Sequence, residues 1–159
     1  MKRIVRFFVS YARRNKRRAD EFLERLEEQL RPSKQYDYRL WRDTGILPGE
    51  DWDREIHAAL DESDWGLVLV TPTLLTRDYV LREELPKYVG HEAKPVIPVL
   101  LEPVDLARHD LHGLEAHQLF SLDGPRGPLA YADCRDDRTR RRFAEELFRQ
   151  IERRLDKLA

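Results

Sequence analysis

The sequence predicts an α/β fold, a flavodoxin-like open parallel sheet of about five strands with helices on both faces. Three short segments, Ile4 to Val9, Trp65 to Val70 and Val96 to Leu101, are almost continuously apolar, as strands covered on both faces must be. Segments with helical spacing of apolar residues lie between and after them. This alternation favours parallel strands joined by right-handed crossovers.

The first half of the chain contains two predicted strands and two predicted helices. The strand Ile4 to Val9 precedes a helix whose apolar stripe consists of Phe22, Leu23, Leu26 and Leu30. A weaker strand covers Tyr38 to Trp41. A short helix begins after the turn formed by residues 48–51, and its apolar positions are Trp52, Ile56, Ala59 and Leu60.

The second half begins with the strand Trp65 to Val70, and residues 76–84 lead into the next helix. After the strand Val96 to Leu101, we expect an irregular connection over 102–128, with a short helix or edge strand around Gln118 to Leu122. A weaker strand over Leu129 to Cys134 and a last helix over about 137–158 complete a single domain spanning 1–159. The apolar stripe of that helix is Phe143, Leu147, Phe148, Ile151, Leu155 and Leu158.

Composition excludes several classes of protein. The 159 residues include 29 basic and 30 acidic side chains, so no net positive field attracts nucleic acid or anionic lipid. Apolar residues make up 41% and charged residues 37%, which excludes a disordered chain. We therefore expect a globular domain that binds neither nucleic acid nor membranes directly.

The compartment is predicted from cysteine use and from the N-terminus. Cys134 is the single cysteine and has no partner for an internal disulfide, which suits a reducing compartment. The first apolar run is interrupted by Arg6 and is too short for a signal peptide. No segment has the 18 unbroken apolar residues of a membrane span. We predict a cytoplasmic location.

Ligands of open α/β sheets bind outside the carboxyl ends of the strands. After the first predicted strand come Ser10, Tyr11 and Arg13, and after the second comes Asp43. The loop over residues 45–49 and the Thr71–Pro72 pair belong to the same rim. In the helix that follows the third strand, a spacing of four places Tyr79 and Glu83 on one face, so that an aromatic ring stands beside a carboxylate.

Several kinds of catalytic site are excluded by missing motifs. The chain has no Gly-x-Gly-x-x-Gly motif, no Walker loop and no nucleophile elbow. The first strand ends without the acidic cluster of a phospho-receiver. Three histidines, His109, His112 and His117, lie in the irregular stretch, where no helix fixes them and no thiolates assist, so we expect no metal site.

Four segments together resemble the Toll/interleukin-1 receptor (TIR) domain family, bacterial type, over nearly the whole chain. FFVSYARR resembles its first strand and following loop, and YRLWRDTGILPGEDW resembles its second strand and the long loop after it. DWGLVLVTPTLLTRDYVLREEL resembles the third strand and the helix with the family's glutamate. KPVIPVLL resembles the fourth strand.

The resemblance implies either an enzyme or a scaffold, because some members only assemble signalling complexes and others cleave NAD+ at the nicotinamide glycosidic bond. Enzymatic members carry an aromatic residue four positions before the catalytic glutamate, which matches Tyr79 and Glu83. The chain departs from the pattern at three positions. Val80 replaces a common cysteine, Arg77 a frequent serine, and Glu84 an apolar residue, so Glu84 is a second candidate for the catalytic acid.

The resemblance therefore predicts an NAD+ glycohydrolase that releases nicotinamide and gives ADP-ribose or a cyclic variant, in bacterial immune or antiphage defence. NAD+ is the substrate, and no cofactor or metal is expected. Glu83 is the expected catalytic residue, opposite the positive charge that develops on the ribose. The expected substrate-binding residues are Ser10, Tyr11, Arg13, Asp43 and Tyr79.

Three alternatives remain open from the sequence. A noncatalytic TIR scaffold would recruit other TIR domains through the 45–49 loop and neighbouring helices. A nucleoside-processing transferase with a related sheet would also use one carboxylate. Without the resemblance, Glu83 reads as a solvated helix acid beside Arg82 and Lys87. Self-association with other TIR domains is expected for the enzyme as well, and a sensor domain or partner protein would supply the trigger.

Overall fold

The computed structural model describes residues 1–42, 52–77, 80–88 and 94–158. These residues form a parallel sheet of four strands in the order β2-β1-β3-β4. The strands are β1 (Arg3–Ser10), β2 (Tyr36–Trp41), β3 (Trp65–Val70) and β4 (Val96–Leu100). All residues of β3 and β4 are buried, because helices and loops cover both faces of the sheet there. The predicted open parallel sheet is confirmed.

Three longer helices pack on this sheet within the described ranges. They are α1 (Lys16–Leu30), α2 (Trp52–Glu62) and α3 (Asp137–Leu158). The buried residues of α1 are Ala19, Phe22, Leu23, Leu26 and Leu30, which include the whole predicted stripe. In α2 they are Ile56, Ala59 and Leu60. The amphipathic spacing of the sequence thus identified the faces that these helices bury.

Neighbouring residues of β1 point into two separate hydrophobic layers. Phe7 packs with Phe22 of α1 and Phe143 of α3 on one face of the sheet. Phe8 packs with Ile56 of α2 and with Val80 on the other face. This alternation follows from the strand period of two. Helices therefore lie on both faces, as predicted.

Gly66 in β3 allows an aromatic ring to lie against the backbone of the sheet. A Cβ atom built on Gly66 would lie 2.6 Å from two ring carbons of Tyr88. Tyr88 is fully buried and follows the segment that closes the second layer. Glycine at this position thus fixes how closely that segment approaches β3.

The predicted fifth strand over Leu129 to Cys134 is wrong. Residues Gly127–Leu129 form a short strand, β6, which pairs antiparallel with β5 (Leu122–Gly124), and Tyr131–Asp133 form a 3-10 turn. The turn is stabilised locally, because the Ala130 N–H donates a hydrogen bond to the Asp133 carboxylate at 3.1 Å. A buried apolar run here belongs to a turn packed on the core, not to the sheet.

The edge of β4 is instead occupied by Phe120, which forms a single parallel bridge with Val99. The Phe120 N–H donates to the Pro98 carbonyl at 2.8 Å, and the Leu100 N–H donates to the Phe120 carbonyl at 2.9 Å. This bridge lies inside the stretch Gln118 to Leu122, where an edge strand or short helix is predicted. The parallel sheet therefore has four strands and one bridging residue in the described part of the chain.

The predicted helix around residues 76–84 is not a regular α-helix. Leu74–Thr76 form a 3-10 turn, Val80–Glu84 form a π-helical turn, and Leu85–Lys87 form another 3-10 turn. Pro86 explains part of this irregularity, since it has no N–H to donate and its ring disfavours the α conformation of the preceding turn. A wider π turn contains one more residue than an α turn, which changes the side chains that face the sheet.

Candidate functional site

The topology places a crevice beside the carboxyl ends of β1 and β3. These strands are neighbours in the sheet, but β1 continues into α1 on one face, whereas the residues after β3 pack on the other face. Opposite crossovers of this kind separate the two connections and leave a cleft between them. The residues that follow β1 are therefore well placed to contact a ligand.

The crevice is lined by residues from four segments of the chain. Its lining consists of Phe8, Val9, Tyr11, Arg13, Trp41, Trp52, Ile56, Arg77, Val80 and Glu84. The free volume is about 50 Å³. That is well below the roughly 300–1,000 Å³ of typical small-molecule sites, so a large ligand requires the walls to separate.

Two adjacent acids take different positions in the π turn. Glu84 lines the crevice and is 7% exposed, so its carboxylate lies in a poorly hydrated environment. The Glu83 side chain is 38% exposed, and its Oε2 lies 3.2 Å from Nε2 of His57 in α2. The acid that shares the crevice with Arg13 is thus Glu84. Glu83 lies at the contact between the π turn and α2.

Charge and burial also connect Glu84 to the core behind the crevice. Burial raises the pKa of the Tyr88 hydroxyl, and the nearby charge of Glu84 adds to this rise. A carboxylate this close to an apolar layer has a stronger electrostatic effect on its neighbours than one in water. Two cationic side chains, Arg13 and Arg77, line the same crevice.

Two tryptophans form the aromatic wall of the crevice. Trp41, at the end of β2, stacks on Phe8 with ring centroids 4.9 Å apart and planes inclined by 17°. Trp52 is the first residue of α2, and the Arg13 guanidinium lies over its ring at 5.5 Å from the centroid. The wall thus offers flat apolar surface beside one acid and two guanidinium groups.

Comparison with known proteins identifies the family of this fold and crevice. A family model described as TIR domain matches residues 7–151 of the chain. The chain belongs to the TIR domain family. A search of curated proteins gave no match. The TIR domain family includes enzymes that cleave NAD+, and TIR domains generally self-associate.

Two predicted substrate-binding residues of this TIR domain lie in the crevice, and one does not. Tyr11 and Arg13 both line it. Ser10 is the last residue of β1, where it pairs in register with Val68 and is 1% exposed. Its hydroxyl has no hydrogen-bond partner among the described residues. Ser10 is therefore part of the buried sheet, since the strand continues one residue further than predicted.

The other two predicted substrate-binding residues, Asp43 and Tyr79, lie outside the described residues. Their roles, like the catalytic role of Glu83, stay predictions. The described ranges also contain no group of three or more metal-ligating side chains. In the same ranges, no helix is long and apolar enough to cross a membrane.

The residues that sequence reasoning missed are the two tryptophans and Arg77. In the sequence, Trp41 is only the end of a weak strand and Trp52 an apolar helix position, but both pack on the side that faces the crevice. The sequence feature that could have identified them is their position, because each flanks the loop that joins β2 to α2. Arg77 was noted only as a departure from the family pattern, although it supplies a cation to the crevice lining.

A second, larger cavity lies on the other side of the turn that follows β1. Its volume is about 690 Å³, and its lining consists of Arg14, Asn15, Arg17, Arg18, Glu21, Pro72, Thr73 and Glu102. Asn15 is fixed between two neighbours. It accepts a hydrogen bond from the Thr71 hydroxyl at 2.7 Å and donates one to Glu102 at 3.2 Å. These bonds connect the residues that follow β1, β3 and β4.

Proposed function

We propose that this TIR domain is an NAD+ glycohydrolase that cleaves the bond between nicotinamide and ribose. The observation that carries the proposal is a buried carboxylate, Glu84, in a crevice with aromatic walls and two guanidinium groups. An anionic dinucleotide with two flat bases needs the same three kinds of contact. The crevice also lies at the strand ends where open sheets bind ligands.

The reaction suits a site with one acid. Nicotinamide in NAD+ already carries a positive charge, so it leaves as a neutral base and takes the bonding electron pair without protonation. The ribose carbon then develops positive charge, which a nearby carboxylate stabilises most strongly in a dry environment. Water adds to that carbon and loses a proton, giving ADP-ribose. If a base of the substrate adds instead, the product is cyclic.

The crevice residues have distinct roles in this proposal. Glu84 stabilises the positive ribose and orients its hydroxyl groups. Trp52 and Tyr11 stack on the nicotinamide, as aromatic side chains do with flat rings. Arg13 and Arg77 pair with the two phosphates, which guanidinium groups bind in a bidentate manner.

Binding of NAD+ requires the crevice to widen, because its free volume is about 50 Å³. Arg13 and Trp52 lie on opposite sides of the crevice lining and contact each other at 5.5 Å, so we expect this contact to separate when NAD+ binds. We propose that self-association of TIR domains supplies this opening, so that an isolated domain has low activity. The domain would then act in cytoplasmic immune defence, with a sensor domain or partner protein as the trigger.

Geometry supports Glu84 over Glu83 as the acting acid. Glu83 lies outside the crevice lining and beside His57, whereas Glu84 is inside. The sequence resemblance favours Glu83, because it counts four residues from Tyr79 as in a regular helix. Both acids lie in the π turn Val80–Glu84, which holds one more residue than a regular helical turn. The two acids can therefore be distinguished by matched substitutions.

The test measures nicotinamide release from NAD+ by the purified protein, fused to an oligomerising domain and also alone. We expect release by the oligomer, and Glu84→Gln should lower the rate about a hundredfold to a thousandfold. The matched control Glu83→Gln should keep most of the activity. Circular dichroism checks that both variants fold. Full turnover by Glu84→Gln would refute the role of Glu84.

The second candidate function is a noncatalytic scaffold that assembles other TIR domains. The small volume of the crevice favours it, since a scaffold needs no substrate cavity. In that case the oligomer would release no nicotinamide, while the domain would still self-associate in sedimentation experiments. The same assay therefore separates the two functions.

A further inference from the structure

The cavity of about 690 Å³ lies between the start of α1 and the residues that follow β3 and β4. Its volume is within the roughly 300–1,000 Å³ of small-molecule sites, whereas the crevice has only about 50 Å³. Like the crevice, the cavity lies at the carboxyl ends of the strands, where open sheets bind ligands. A small ligand can therefore enter it without a rearrangement of its walls.

One wall of the cavity is a stripe of three arginines, Arg14, Arg17 and Arg18. They are three and four residues apart, so their side chains leave the same side of the helical turn. The first turn of α1 contains no acidic residue, and Asn15 makes no side-chain capping bond there. Cations repel one another and are unfavourable at the positive end of a helix. An anion in the cavity would reduce this repulsion.

The two acids of the cavity lining are already engaged by other side chains. The Glu102 carboxylate accepts a hydrogen bond from Arg18 at 2.5 Å and another from the Asn15 amide at 3.2 Å. The Glu21 carboxylate lies 3.5 Å from the Arg140 guanidinium, which is outside the lining. Neither acid is therefore the partner of the remaining arginines.

Those remaining arginines are Arg14 and Arg17. Both are exposed, and neither forms an ion pair with a carboxylate in the described part of the chain. A guanidinium group binds phosphate oxygens in a bidentate manner. Residues three apart on a helix have Cβ atoms about 5–6 Å apart, close enough for both side chains to contact two linked phosphates. The described lining contains no aromatic ring that could stack on a base.

We propose that this cavity binds linked phosphates through Arg14 and Arg17, either as the diphosphate or triphosphate group of a nucleotide or as pyrophosphate itself. Recognition is of the phosphates and not of the base. The site is separate from the crevice, because Arg13 lines the crevice and Arg14 lines the cavity. Two consecutive residues of one turn thus serve two different sites. This inference does not depend on the proposed NAD+ cleavage.

Isothermal titration calorimetry with pyrophosphate, ADP and adenosine tests the proposal. The titrations use low ionic strength, since salt screens exposed charges. We expect pyrophosphate and ADP to bind with similar affinity and adenosine not to bind. Binding of pyrophosphate without ADP would identify free pyrophosphate as the ligand. Failure of pyrophosphate to bind at millimolar concentration, or ADP binding more than tenfold tighter than pyrophosphate, would overturn the proposal.

Matched variants test the two arginines. Arg14→Gln combined with Arg17→Gln should weaken pyrophosphate binding at least tenfold, because both charge-assisted contacts are lost. The control combines Arg141→Gln with Arg153→Gln in α3. These two arginines are also exposed, have no ion pair in the same described ranges and do not line the cavity. An equal loss in the control would mean that net charge alone attracts the anion, which would overturn the site.

The location of binding needs its own measurement, because the crevice also contains arginines. Pyrophosphate added to isotope-labelled protein should shift the backbone amide signals of Arg17 and Thr73 in nuclear magnetic resonance spectra and leave that of Trp52 in place. Arg13→Gln should bind pyrophosphate as the parent does. Shifts confined to the crevice, or lost binding in Arg13→Gln, would overturn the proposal. So would a short RNA that binds over tenfold tighter than pyrophosphate through the same two arginines.

Discussion

Replacing Gly66 by alanine tests the contact between β3 and the ring of Tyr88. The added methyl carbon would lie 2.6 Å from two ring carbons, far closer than the 3.5–4.0 Å at which carbon atoms pack best. Tyr88 is fully buried, so its ring has no free space into which it can move. Overpacking of this kind costs about 1–3 kcal/mol.

The expected loss corresponds to a measurable change in thermal stability. For a domain of this size, about 2 kcal/mol lowers the Tm by roughly 6 °C. Calorimetry or urea unfolding of Gly66→Ala measures this directly. The contact also positions the segment before Tyr88, so nicotinamide release should fall in the same variant.

A double-mutant cycle identifies the ring as the cause. Leucine at position 88 lacks the ring atoms that the new methyl group would meet. In a Tyr88→Leu background, Gly66→Ala should therefore cost little, which gives a coupling free energy of about 1–3 kcal/mol. A Tm within experimental error of the parent, or the same cost in both backgrounds, would refute the packing argument.

Two further predictions concern polar contacts outside the crevice. Lys94 donates from Nζ to the carbonyls of Leu60 at 2.6 Å, Asp61 at 3.0 Å and Ser63 at 2.8 Å, so Lys94→Met should lower the free energy of unfolding by about 2 kcal/mol. Urea unfolding that is unchanged from the parent would contradict this. A hydrogen bond to Asp156 raises the pKa of Tyr36 to about 12. Since the neutral hydroxyl is favoured in the folded state, its contribution is complete below pH 10 and is lost as the pH rises toward 12. Tyr36→Phe should therefore show a shallower loss of stability over that range, and an equally steep loss would refute it.

The strands and longer helices were predictable because their sequences report burial directly. Segments such as Trp65 to Val70 are apolar at every position, and in the structure every residue of β3 is buried. The apolar stripe of α1 predicts its buried face equally well, since Phe22 and Leu26 recur at helical spacing and both are buried. Long-range packing and local pattern agree in these elements.

The strand over Leu129 to Cys134 was mispredicted because apolar character alone does not distinguish a strand from a buried turn. Tyr131 is 2% exposed, as a strand residue would be, but the backbone turns there. The deciding contact is the hydrogen bond from the Ala130 N–H to Asp133. Such a local side-chain bond competes with sheet pairing and carries no periodic signal.

The crevice lining was predictable to the nearest turn but not to the nearest residue. The rule for open sheets identified Tyr11 and Arg13, because it depends only on where strands end. It did not separate Glu83 from Glu84, since that distinction depends on one additional residue in a turn. Pro86 was the available signal, as proline disrupts the regular helix on which the count relied.

The hydrogen bonds of Asn15 fix the turn after β1, which lies on one side of the crevice. One side ends in a turn that is tied to Thr71 and Glu102, and so to the ends of two other strands. On the other side lies Trp52 of α2, and the Arg13 guanidinium of the turn lies over its ring at 5.5 Å from the centroid. The turn is thus anchored to the sheet, and we expect the crevice to widen by a movement of α2. A partner that binds the outer face of α2 would then control access of a ligand to the crevice without contacting the sheet.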